Sequence, residues 1–268
     1  MNTTIHLQYG DLLIAALLVL GSAVASWALR LRLQGQLLIA AARMVLQLML
    51  VGWVLRWVFA AATPWVTALV AACMIGAAAR EVAARPSQQL RGGGNYSIAA
   101  LVVSMASVAT VVLALLTALR PEPWYDARYA IALMGIVLGS VLNAASLGLD
   151  SFFEDVHASR AAIEAQLALG QPMRQALARH TQAAIRRGLI PIINQMSAAG
   201  LITLPGIMTG QILGGMDPFE AAKYQILLLF LLTGAGGLAA GASVYLAARA
   251  LSDERERLRL DRLLADKP

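Results

Sequence analysis

Apolar runs of membrane-crossing length recur along this chain, separated by short polar stretches. They cover residues 11–29, 36–55, 60–79, 97–119, 129–149, 189–215 and 224–248. A helix crossing a bilayer needs about 20 mostly apolar residues, so the pattern predicts seven transmembrane helices in an all-α, polytopic bundle. One polar interval breaks the rhythm. From Asp150 to Arg187 no apolar run is long enough to span. Two helical pieces are predicted within it. The first starts at Asp150 or Ser151 as a cap and ends at Gly170, a residue suited to a left-handed terminus. The second begins at Pro172, which fits a first helical turn. Helix, glycine turn and helix form an elbow able to press one face into a groove of a soluble partner.

Composition supports this picture. The chain has 268 residues, of which 59% are hydrophobic and 13% charged. The net charge of +6 is almost all arginine. In a soluble protein it would raise nucleic acid as a partner; here the bilayer is the partner and no nucleic acid is expected. Sixteen Arg and Lys residues lie after runs one, three and five or in the tail, and four lie on the other side. Positive charge stays cytoplasmic, so the N-terminus is expected outside and the C-terminus inside. The N-terminal run lacks a charged leader and cleavage site, and reads as a retained helix. One transmembrane domain is expected over 1–268, with the polar segment at 150–187 and a charged tail at 249–268. The tail reads as a short charged helix or a frayed end.

Few polar groups lie within the apolar runs. Arg43 lies in the second run with Gln47 one turn along; Asn143 lies in the fifth, and Asn194 and Gln195 in the sixth. Each fits a polar substrate path or a structural interhelical bond. Met196 and Met208 are soft thioethers beside the same path, or packing. The sixth run is also the most interrupted: Pro205, Gly206 and Gly210 predict a broken or kinked helix, serving as a hinge or as a packing kink. No Cys pair, His cluster or buried carboxylates suggest a metal site, and no catalytic constellation appears.

The elbow resembles the coupling segment of ABC-transporter permeases, which places a Glu-Ala pair before a glycine between two helices. Here the stretch is "EAQLALG", with Glu164, Ala165, Leu169 and Gly170, followed by Pro172. The Leu-Pro-Gly, Met-Thr-Gly, Gly-Met-Asp-Pro and Lys-Tyr-Gln-Ile elements stand in order in "AGLITLPGIMTGQILGGMDPFEAAKYQI" (199–226), and "ARMVLQLMLVGWVL" (42–55) matches a second block. Together these resemble the FetB/YbbM-type permease family, associated with iron export in bacteria and aluminium tolerance in plants. The resemblance implies a multi-pass permease in the bacterial inner membrane, paired as a homodimer with separate ATP-binding cassette subunits. ATP and Mg would sit on those subunits, since this chain has no phosphate-binding GxxxxGK[ST] loop and is not expected to be an enzyme. Metal-ion export is the implied function. The rival is a membrane scaffold or sensor that docks a soluble partner without transport; a passive channel is a third reading.

Overall fold

The computed structural model of the protein describes residues 9–61, 63–253 and 255–264. Residues 254 and 265–268 of the expected 249–268 tail lie outside the described residues. The contacts group the chain into two compact units, Met1–Ala62 and Thr63–Pro268.

The first unit is a helical hairpin of α1 (Tyr9–Ala28) and α2 (Gln34–Ala61). Its turn is tight. Arg30 and Arg32 adopt φ of 54° and 58°. The Ser26 hydroxyl accepts the Leu33 N–H at 3.1 Å, serving a backbone group that lipid could not.

The second unit holds the remaining elements. These are α3 (Pro64–Ala84), a two-residue strand β1 (Gln89–Leu90), α4 (Gly94–Ala114), α5 (Ala127–Ala158), α6 (Arg160–Ala168), α7 (Met173–Ala176), α8 (Ala178–Ala198), α9 (Gly206–Leu213), α10 (Pro218–Ala250) and a second short strand β2 (Leu263–Leu264). Local chemistry sets the long helices. Asp126 starts α5 by accepting from the Arg128 N–H at 2.9 Å. Asp217 caps α10 through Phe219 and Glu220, with Pro218 in the first turn. At 1.5 Å per residue α5 and α10 are each about 50 Å long, well beyond a ~30 Å hydrocarbon core. Both therefore project past the membrane, and the apolar packing projects with them: Leu149, Phe152, Phe153, Val156 and Ile163 are fully buried.

Two expectations are refined and one is corrected. Among the described residues six helices are long and apolar enough to cross a membrane, where about seven were expected. The sixth predicted run is divided: α8 ends at Ala198, a turn follows in which Gly200 has φ +86°, and α9 begins only at Gly206. The interruption thus ends at Pro205, where the sequence predicted a break. Asp150 and Ser151 do not start a helix. They lie inside α5, and the Asp150 carboxylate accepts instead from the Ser87 N–H and hydroxyl at 2.8 and 2.9 Å.

The tail is neither an α-helix nor frayed through its described part. After α10 it turns back, and β2 pairs antiparallel with β1, Leu90 facing Leu263. Arg262 donates to the Ala250 and Ser252 carbonyls at 2.6 and 3.3 Å, serving the acceptors at the end of α10. Asp253 accepts from the Arg255 and Arg257 N–H groups and from the Arg257 side chain. Asp261 accepts two bonds from Arg259, each at 2.8 Å.

Packing in the second unit tightens where α5, α8 and α10 meet. A Cβ on Gly188 of α8 would lie 2.7 Å from the Ala144 carbonyl oxygen of α5 and 3.1 Å from the Ala240 Cβ of α10. Gly148 likewise faces Val244 and the Ala184 carbonyl. The glycine-rich stretch of α10 joins in, with Gly236 against Ser140 and Ala144. Small residues let helices approach closely where lipid removes the hydrophobic drive to associate. The pairs Gly148 with Ala184 and Ala144 with Gly188 show α8 running antiparallel along α5.

Two outcomes follow from this packing and this tail. Gly188→Ala should destabilise the protein by about 1–3 kcal/mol, because the methyl meets backbone. Gly237→Ala, with open space around it, should be near neutral; thermal melting in detergent compares them. The Arg259 guanidinium holds the Asp261 carboxyl down from 3.8 to about 2, and the Arg257 N–H lowers Asp253. A carboxyl depressed on folding stabilises above its unfolded pKa and loses that effect as pH falls through the folded one. The tail should therefore resist pepsin at pH 4 and become cleavable around Leu258 and Leu260 as pH drops toward 2. Asp261→Asn should be cut already at pH 4.

Candidate functional site: an exposed elbow and a polar groove joined by one helix

The elbow is built from α6 and α7, carried between the projecting ends of α5 and α8. Ile163 is fully buried and Met173, Ala176 and Leu177 nearly so, which anchors the inner face. The outer face is exposed: Ala161, Ala165, Ala168 and Leu169 recur at helical spacing, and Leu169 is 83% exposed. Glu164 is exposed and pairs with Arg160 one turn earlier at 2.8 Å. A solvated i,i+4 pair stabilises by about 0.3–0.5 kcal/mol, enough to bias the helix and little more. Gly170 has φ +85° with open space where a Cβ would stand. Its glycine is therefore required by backbone conformation, not by crowding. Pro172, extended at φ −68°, precedes α7 as its cap residue. Glu164, Ala165, Leu169, Gly170 and Pro172, the residues expected to couple, are all exposed along the end of α6 and the turn after it.

A groove of about 230 Å³ opens further along the bundle between α5, α8 and α10. Ser140 and Asn143 of α5 line it with Gly188, Pro191 and Gln195 of α8 and Leu232 of α10. Ser140 donates to the Leu232 carbonyl at 3.1 Å. Pro191 has no N–H for the Arg187 carbonyl, which makes the local backbone more polar. Arg85, just past α3, donates to the Asn143 Oδ1 at 3.2 Å. The polar part of the lining is neutral amide, hydroxyl and backbone, set among Ile136, Ala144, Ile192 and Leu232, with the Arg85 guanidinium reaching it through Asn143. Among the described residues no three His, Cys, Asp or Glu side chains gather as metal ligands.

Of the path residues expected from sequence, Asn143 and Gln195 meet at this groove. Met196 turns away: its sulfur accepts from the Thr233 hydroxyl at 3.3 Å, on α10. Asn194 and Met208 lie outside the lining. Arg43 and Gln47 share α2 in the other unit, one turn apart. Pro205 caps α9, whose first residue is Gly206; Gly210 lies inside it.

Sequence reasoning missed several partners. Arg85 was counted only as a loop charge, and Ser140 was not singled out, although Ser140 and Asn143 fall at i,i+3 on one face. His180 pairs with Asp155 at 2.6 Å, and Arg187 donates to the Ser151 hydroxyl at 2.9 Å. These bonds tie the start of α8 to the end of α5. The second elbow helix and the sixth run, expected as separate pieces, are joined: α8 runs unbroken from Ala178, beside the elbow, past Gln195.

Comparison with known proteins places this geometry in a family. The model of the uncharacterised protein family UPF0014 matches residues 9–252. The UPF0014 membrane protein slr1647 of Synechocystis is 40% identical over 80% of this chain and 82% of its own length. The UPF0014 membrane protein STAR2 of rice, Oryza sativa, is 37% identical over 87% of this chain and 80% of its own. The probable iron export permease protein FetB of Escherichia coli is 29% identical over 92% and 93%. No solved structure matches the chain. With its apolar helices and this coverage of full-length relatives, the chain belongs to the UPF0014 family of multi-pass membrane proteins.

Proposed function

We propose that the chain is the permease subunit of an ATP-driven exporter, working as a homodimer with separate ATP-binding cassette subunits. The observation that carries this reading is the elbow. A short helix presents an exposed Ala and Leu face, a glycine-shaped turn closes it, and α8 leads from it to a polar groove. Such a face is suited to a cleft on a soluble subunit. ATP and Mg belong to that subunit.

Seven crossings follow if α8 counts as one. Its charged first turns lower its hydropathy, but its antiparallel register carries it along α5. The charge asymmetry then puts the N-terminus outside and the elbow, with the C-terminus, in the cytoplasm of a bacterial cell bounded by its inner membrane. Asn143 and Gln195 are exposed on this chain. Amides at membrane depth avoid lipid, so the groove faces water or a second copy. It supplies the inward half of a substrate path; the break from Ala199 to Pro205 is the hinge, with Gly206 and Gly210 in the helix that follows it. The relative named as a probable iron export permease supports metal-ion export, iron first. Neutral amides suit weak, transient contact with a passing substrate.

Binding to a closed and an open partner must differ for the elbow to transmit anything. Leu169→Asp and Gly170→Trp should each abolish co-purification of an ATP-binding subunit from native membranes. Loss of a buried Leu alone is worth about 1.5–3 kcal/mol, tenfold or more in affinity. Recovery of the subunit with both variants would remove the elbow from the interface. Asn143→Leu and Gln195→Leu should retain the partner but lower ATP-dependent metal efflux from vesicles by roughly tenfold, one hydrogen bond's worth. A partner that binds without any substrate-stimulated turnover would favour the scaffold reading.

A further inference from the structure

The folded tail creates a second polar feature, away from the groove. Where α10 ends, a cavity of about 710 Å³ is lined by Arg249, Ser252, Asp253, Arg255, Arg257 and Arg262. Asp253 is the one carboxylate among these, and it is already engaged by Arg257. Arg262 is spent on backbone carbonyls. The guanidinium groups of Arg249 and Arg255 make no ion pair or hydrogen bond with any described residue. Part of this charge answers the negative end of the α10 dipole, but that end needs about half a charge and Arg262 already serves it.

A second cavity, about 610 Å³, shares Arg249 and Ser252 with the first. Its walls are largely apolar, with Met173, Leu177, Tyr245 and Ala248, and Arg174 at the rim. The Glu256 carboxylate on this side accepts the Met173 N–H at 2.5 Å, so it too is taken. Four guanidinium groups therefore surround space that opens onto an apolar wall, at the end of the last membrane-crossing helix. Planar guanidinium forks match phosphate oxygens, and the apolar wall matches an acyl chain.

We propose that these contiguous cavities bind the phosphate headgroup of an anionic phospholipid, with Arg249 and Arg255 as its principal contacts and Tyr245 and Ala248 against its first methylenes. The elbow lines the same cavity through Met173 and Leu177, so an occupied site stiffens the seam between tail and elbow. The site stands apart from the permease reading, because its test reads binding and not transport.

The full chain in mild detergent is titrated with dioctanoyl phosphatidylglycerol, dioctanoyl phosphatidylcholine and inorganic phosphate, reading Tm and, by native mass spectrometry, adducts. The glycerol lipid should raise Tm and give a one-to-one adduct; the zwitterionic lipid should not. Arg249→Ala with Arg255→Ala should bind the glycerol lipid more weakly by roughly 30-fold, at about fivefold per guanidinium. The double Lys variant should stay within a few-fold, and Arg128→Ala, at the far start of α5, should be unchanged. If the double Ala variant fails to fold, Arg255→Ala alone, which has no side-chain bond to lose, should still show the fivefold loss. Equal binding by the Ala variants and wild type, equal response to both lipids, or no response to any probe would overturn the proposal. A shift with inorganic phosphate as large as with the lipid would confirm the phosphate chemistry and overturn the lipid source.

Discussion

A backbone approach at Gly188 sets the terms for the second unit. Three helices meet there with no room for a methyl group, and the surrounding contacts at Ala144, Gly148, Ala184, Gly236 and Ala240 are small for the same reason. In lipid, association rests on such close packing and on a few bonds between helices. Those bonds follow the same seams. His180 with Asp155 and Arg187 with Ser151 fasten α8 to α5, and Thr233 with Met196 fastens it to α10. The polar groove opens beside this seam because Gly188 and Pro191 leave backbone uncovered there. Packing and polarity come from the same short stretch of α8.

Outside the apolar layer the protein depends on a different balance. Phe152 and Phe153 extend a water-excluding core into the projecting end of α5. Around it, carboxylates accept backbone N–H groups from distant segments: Asp150 from Ser87, and Glu256 from Met173. Each joins a helix to a loop far from it in sequence. The tail thereby becomes part of the same end of the bundle as the elbow and not a solubilising appendage.

Much of this could be read from residue order. The long apolar helices, the Asp217-Pro218 start of α10, the turn at Gly170 and the break before Gly206 all have local causes, in hydropathy, caps and backbone freedom. What escaped had non-local causes. Asp150 and Ser151 look like a cap, but Ser87 and Arg187 claim their side chains, so α5 runs on. The charged start of α8 reads as a separate elbow helix because nothing in its own sequence reveals that it continues into the sixth run with α5 and α10 alongside it. The tail reads as a short charged helix or a frayed end because its order rests on β1, more than a hundred and seventy residues earlier. Of the expected path residues, Asn143 and Gln195 converge and Met196 does not, a difference of one helical position that only the orientation of α8 decides.

Gly188 stands ten residues from each end of α8. The two arms are thus each on the order of 15 Å. A helix pressed against a backbone oxygen at its midpoint has an equal-armed balance built into it. Any tilt about that contact returns the displacement at Ala178 undiminished and reversed at Ala198. Such a lever neither amplifies nor damps, and its fidelity depends on one missing side chain.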